Sequence, residues 1–85
     1  MIAEKRLNLI VNSKVGWLTR YYMDIFKYTP QQSYIYIRDS GVIDILKKES
    51  SRLYLEPVDL IKESIDIYYS QGKEEMDEYL KLNIG

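Results

Sequence analysis

The chain has 85 residues, 46% apolar and 29% charged, with 12 basic and 13 acidic side chains and a net charge of −1. That is the length and composition of one globular domain, and it builds no broad basic field of the kind that holds nucleic acid through phosphate contacts. The absence of histidine and cysteine excludes disulfides, Cys/His zinc sites, and both Ser-His-Asp and Cys-His nucleophile pairs.

Residues 1–85 contain no repeat, low-complexity tract or Pro/Gly/Ser linker and read as a single helical domain. A domain this small buries only about 60–65% of the surface its unfolded chain exposes. Its core must therefore be efficient, or a partner must cover part of it. Near the start, Lys5 and Arg6 precede Leu7-Asn8-Leu9-Ile10-Val11. This run is too short and too interrupted for a signal peptide or a membrane span, so the expected location is the cytoplasm.

The first predicted segment covers about residues 3–28. Leu7, Val11, Leu18, Tyr22 and Ile25 recur at spacings of three, four and seven, which places them on one helix face. Trp17, Tyr21 and Phe26 widen that stripe. Asn12, Ser13 and Gly16 weaken its middle, since glycine costs about 1 kcal/mol relative to alanine in a helix. Two readings stay open: a helix kinked or broken near residues 12–16, or a hairpin with residues 7–11 as a strand and Asn12-Ser13 in the turn.

Thr29-Pro30-Gln31-Gln32 has the form of a helix start, with a capping threonine, proline at the first helical position and glutamine where a capping box needs it. A second helix is expected from Pro30, against the strand propensity of Tyr34-Ile35-Tyr36-Ile37. Asp39-Ser40-Gly41 ends it: Gly41 can turn left-handed, and Asp39 or Ser40 can cap the next helix. The third helix, about residues 42–48, has Val42, Ile43, Ile45 and Leu46 as its apolar face. Ser50-Ser51-Arg52 interrupts the pattern. Leu53-Tyr54-Leu55 is expected to be extended, because Pro57 biases what precedes it away from helix. Pro57 then opens a fourth helix, about residues 57–70. Its inward stripe is Val58, Ile61, Ile65 and Tyr68, with Leu60 and Ile67 at the margins. Gly72 stops it, and a last helix follows at about residues 73–82 with Met76, Tyr79 and Leu80 apolar. The predicted fold is a compact all-α domain of four to five short, non-coiled-coil helices packed around the first and fourth.

Nine tyrosines are the most unusual feature of the composition. Tyrosine combines a large apolar ring with a polar tip and is enriched at interfaces. One reading makes Tyr36, Tyr54 and Tyr69 part of a partner-binding face; the other has the tyrosines fill and rim a small core. Asp39, Asp44, Glu56, Asp59, Glu63 and Asp66 are the carboxylates available for acid–base work. Asp59, Glu63 and Asp66 have helical spacing, which points to a solvated charged face rather than a converging site. With no G-x-G phosphate loop either, the sequence carries no catalytic, cofactor or metal constellation, and the expectation is a protein that is not an enzyme. Residues 30–49 have the length of a helix-turn-helix, in which Arg38, Lys47 and Lys48 would meet phosphates. The early positions of its second helix, which should reach base edges, are apolar or acidic, so nucleic acid is not favoured as a partner.

Asp39-Ser40-Gly41-Val42-Ile43-Asp44-Ile45-Leu46, followed by Ser51-Arg52-Leu53-Tyr54-Leu55-Glu56-Pro57, resembles a group of short helical bacterial proteins. Members have an aromatic-rich first helix and are found near predicted ADP-ribosyltransferase-like toxins. The resemblance spans roughly the middle half of the chain and implies an antitoxin or accessory role. The expectation is therefore a protein-interaction module whose partner is another protein or a second copy in a homodimer. A small DNA-binding regulator and a homodimeric structural protein are the alternatives.

Overall fold

A computed structural model describes residues 2–84. Five α-helices follow in chain order: α1 (Glu4–Phe26), α2 (Pro30–Asp39), α3 (Val42–Lys47), α4 (Val58–Gln71) and α5 (Lys73–Asn83). Two single-turn 3-10 helices, Glu49–Ser51 and Leu53–Leu55, bridge α3 to α4. The described residues include no strand. The all-α expectation holds.

The α1 helix is continuous through Asn12, Ser13 and Gly16, so neither the hairpin nor a break occurs. Burial of Leu7, Val11, Leu18 and Tyr22 along one face outweighs the local cost of glycine. The stripe ends one turn early. Ile25, expected inside, is 48% exposed. The chain reverses at Lys27, whose φ of 59° is left-handed. The returning α2 packs beside Thr19 and Tyr22, where Ser33 Oγ donates to the Thr19 carbonyl at 2.7 Å and the Tyr36 ring meets the Tyr22 ring. The last turn of α1 stays open.

The capping box at α2 forms as expected. Thr29 Oγ1 accepts from the Gln32 amide at 3.2 Å, and Gln32 Oε1 accepts from the Thr29 amide at 2.9 Å. With this start fixed, the strand-prone run is helical and Ser33 and Ile37 point inward one turn apart. Gly41 takes a φ of 85° and forms the corner into α3. Ser40 sits buried at that corner, donating to the Ile37 carbonyl and accepting from the Val42 amide.

Leu53-Tyr54-Leu55 is not extended but makes a 3-10 turn that buries Leu53 and Tyr54. The restriction imposed by Pro57 reaches only Glu56, which is extended at φ −85° and ψ 153°. Ser51 organises this bridge. Its hydroxyl donates to the Ile45 and Lys48 carbonyls and accepts from the Leu53 amide. Pro57 stands at the N-cap of α4 rather than inside it. Ile61 and Ile65 are buried as expected, joined by Ser64, while Val58 and Tyr68, also placed on the inward stripe, are half-buried. The α5 helix packs on α4, with Met76 and Leu80 entering the shared core.

The single core gathers Leu18, Tyr22, Ile37, Val42, Leu46, Leu53, Ile61 and Ile65 at the centre. Polar ties link α1 to its neighbours, among them Ser33 to Thr19 from α2, Tyr22 to Asp66 of α4 at 2.9 Å, and Lys14 Nζ to the Glu56 carbonyl at 2.7 Å. Among the described residues, no buried side-chain nitrogen or oxygen lacks a hydrogen-bond partner. This is the condition a small core with polar groups inside it must meet.

A Cβ added at Gly16 would meet nothing within 4 Å. Gly16→Ala is therefore expected to stabilise the fold by about 0.5–1 kcal/mol through helix propensity and a less flexible unfolded chain. Urea unfolding checks this, with the midpoint rising at an unchanged slope.

Candidate functional site

The structure joins six of the nine tyrosines, with Trp17 and Phe26, into one connected system. Trp17 stacks on Tyr21 with centroids 5.5 Å apart, and Tyr21 meets Tyr22 edge-on at 5.1 Å. Tyr22 contacts Phe26 at 5.7 Å and Tyr36 at 4.8 Å, while Phe26 and Tyr36 both contact Tyr28. Tyr36 then stacks on Tyr69 at 4.0 Å with the planes 12° apart, and Tyr69 meets Tyr68 edge-on. Local helix geometry sets part of this path. Trp17/Tyr21 and Tyr22/Phe26 are i, i+4 pairs on α1, adjacent on the helix surface. The Tyr22–Tyr36 and Tyr36–Tyr69 joints are tertiary, made where α1, α2 and α4 converge.

Tyr22 is the hinge of the system. Its side chain is fully buried, and its hydroxyl donates to Asp66 Oδ1 at 2.9 Å, with a second acceptor, the Lys62 carbonyl, at 3.5 Å. Lys62 Nζ holds the other Asp66 oxygen at 3.1 Å and lies 5.3 Å from the centre of the Tyr21 ring. The charge on Asp66 is thus shared between a buried phenol and a lysine. Burial, followed by the hydrogen bond and charge of Asp66, pushes the Tyr22 phenol far above its ordinary value of 10.0. The hydrogen bond to Asp66 outweighs burial and raises the Lys62 ammonium. Asp66 was expected on a solvated acidic face; it is half-buried and serves as the acceptor of a core side chain. Asp59 and Glu63 are exposed.

Of the residues singled out from sequence, Tyr36 and Tyr69 come together. Tyr69 Oη donates to the Tyr36 carbonyl at 2.6 Å, which locks the two stacked rings across α2 and α4. Burial and the neighbouring Tyr36 and Asp39 push Tyr69 up to about 12; burial and the charge of Asp66 raise Tyr36 as well. Tyr54 does not join them. It is 8% exposed and packs in the core through its 3-10 turn, so it cannot form part of an accessible face. Arg38 Nη2 pairs with Asp39 at 3.1 Å, and Lys47 and Lys48 are exposed at the end of α3. The α3 helix has six residues and turns Val42, Ile43 and Leu46 into the core. Its first turn thus commits Val42 and Ile43 to the core and leaves Asp44, an acid, exposed.

Sequence reasoning missed Trp17 and Phe26 as surface residues. Both were assigned to the inner stripe of α1, yet they are 40% and 44% exposed. The signal available was their offset from the Leu7–Val11–Leu18–Tyr22 line. Three shallow depressions flank the rings. One, of about 330 Å³, is lined by Trp17, Arg20, Tyr21 and Asp24. A second, of about 410 Å³, lies against Leu9, Ile10, Lys14, Trp17 and Val58; the third, of about 340 Å³, is lined by Tyr28, Gln32, Ile35, Tyr36, Asp39 and Tyr69. No group of three or more acidic side chains that could hold a metal ion occurs among the described residues. No helix among them is long and apolar enough to cross a membrane.

The chain matches no known family, curated protein or solved structure.

The raised Tyr22 value sets an alkaline limit on stability. Below pH 10 the phenol keeps its proton in both states. Above it only the unfolded chain releases the proton, so stability falls as pH rises toward the folded-state value. Tyr22→Phe should flatten this loss by about 1.4 kcal/mol per pH unit above pH 10. Chemical denaturation of both proteins between neutral pH and pH 11 measures the difference. Equal slopes would show that Tyr22 does not carry it.

Proposed function

We propose that this protein is a non-enzymatic protein-interaction module and that the ring system of α1, α2 and α4 is its docking face. The observation that carries this reading is the emergence of a core-anchored aromatic system at the surface. Trp17, Phe26 and Tyr69 are 40%, 44% and 42% exposed, with Ile25 beside Phe26 at 48%, and the rings are joined through buried Tyr22. Rigid aromatic side chains held in place before binding lose little freedom on contact, and Trp and Tyr are prominent among residues that dominate interface energetics. The resemblance to small helical proteins found near predicted toxins supports an antitoxin-like or accessory role, in which the face would cover a toxin's surface.

Two other readings have less behind them. A DNA-binding regulator would need the first turn of α3 for base contacts, and there Val42 and Ile43 are committed to the core while the exposed Asp44 would repel phosphates. A homodimer built on the same rings remains a form of the proposed activity, with a second copy as the partner.

Expression together with the neighbouring genes, followed by copurification, tests the proposal. The expected result is a stoichiometric protein complex that Trp17→Ala and Phe26→Ala each weaken by about tenfold or more, while both variants remain folded by circular dichroism. A chain that copurifies with nothing and sediments as a monomer at every concentration would overturn it.

A further inference from the structure

The depression between α2 and α4 has a chemical preference of its own. Its walls are the rings of Tyr28, Tyr36 and Tyr69 and the side chain of Ile35, and its rim carries the carboxylate of Asp39. Ring faces carry negative potential and attract cations, the more so beside a carboxylate. Among the described residues no lysine or arginine is placed over these three rings. Arg38 contacts Asp39 through two nitrogens, at 3.1 and 3.2 Å, but both bonds fall on Oδ1. That pair is also largely exposed, and ion pairs in water are weakly held. Lys62, which does lie over a ring, sits on Tyr21 rather than in this depression.

The walls are fixed before any guest arrives. Tyr36 and Tyr69 are stacked and tied by the 2.6 Å hydrogen bond. Gln32 Oε1 is engaged by the Thr29 amide in the capping box. The Asp39 charge acts on this same pocket, being one of the groups that raise Tyr69.

We propose that this depression receives an arginine side chain of the partner protein, its guanidinium against Tyr28 and the side of Tyr69 not stacked on Tyr36, and hydrogen-bonded to Asp39. Arginine fits better than lysine because a planar guanidinium lies flat on a ring and still donates from its edge to a carboxylate, whereas an ammonium is a compact, strongly hydrated charge. The inference rests on the reading of the protein as an interaction module, and it specifies the chemistry that the partner must present.

The test uses the intact chain, isotopically labelled, titrated with a blocked Gly-Arg-Gly peptide and with the same peptide carrying citrulline or lysine. Citrulline keeps the shape of arginine and removes its charge. The expected result is saturable shifts confined to residues around Tyr28, Ile35, Tyr36 and Tyr69. Citrulline should weaken binding by about tenfold, lysine by a smaller factor, and Asp39→Asn by about tenfold. Tyr28→Leu, which keeps an apolar wall but removes a ring face, should weaken it too. Absent or unsaturable shifts, equal binding of the citrulline peptide, tighter binding of lysine than arginine, or indifference to Asp39→Asn would each overturn the assignment. A partner complex that depends on Trp17 and Phe26 but not on Asp39 would sink this inference alone. The lack of any complex would sink the docking reading beneath it.

Discussion

A phenol hydroxyl enclosed in a hydrocarbon core must find an acceptor, and Tyr22 finds Asp66. Leaving such a group unpaired costs about 1–3 kcal/mol, a large part of the stability of a chain this short. Meeting the requirement fixes more than one bond. Asp66 lies on α4, so the bond sets where α4 sits along α1. Lys62, one turn before Asp66, shares its charge and so keeps a half-buried carboxylate from standing alone. The same ring touches Tyr36 on α2. One side chain thus ties the three helices whose convergence defines the core.

From that point the geometry runs outward. With α2 and α4 both placed against Tyr22, Tyr36 and Tyr69 face each other closely enough to stack and to share a hydrogen bond. On the other side, Tyr21 and Trp17 continue the contact along α1. The surface aromatics are therefore outer members of a network whose inner member is locked, and binding would not have to order them. Serine plays the complementary role. Ser33, Ser40 and Ser64 are buried, each with its hydroxyl on a nearby backbone carbonyl. At Ser33, the small side chain lets α2 approach α1 closely enough for a 2.7 Å bond.

Much of the helical framework could be read from the residues. Thr29, Pro30 and Gln32 announce α2 through a mechanism local to four residues. Leu7, Val11, Leu18 and Tyr22 announce α1 by spacing alone, and Gly41 and Gly72 mark the corners that their positive φ angles confirm. What could not be read depends on contacts distant in sequence. Ile25 continues the periodicity of α1, but burial there requires a neighbour, and the turn at Lys27 carries α2 elsewhere. Tyr54 has the composition of an interface residue and the position of a core residue, because a 3-10 turn rather than an extended segment presents it. Asp66 resembles Asp59 and Glu63 by spacing, and only the arrival of Tyr22 across 44 positions separates it from them. The pairing of Tyr36 with Tyr69 likewise belongs to the docking of α4 on α2, not to either helix.

The central claim is that the Tyr22–Asp66 bond holds the helices, and with them the aromatic face, in place. A double-mutant cycle with Tyr22→Phe, Asp66→Ala and the combined variant, each unfolded in urea at neutral pH, measures that bond against its surroundings. The account predicts a coupling of about 1 kcal/mol or more between the two positions. Losses that simply add would contradict it, because two residues whose effects are independent cannot be the joint on which the fold turns.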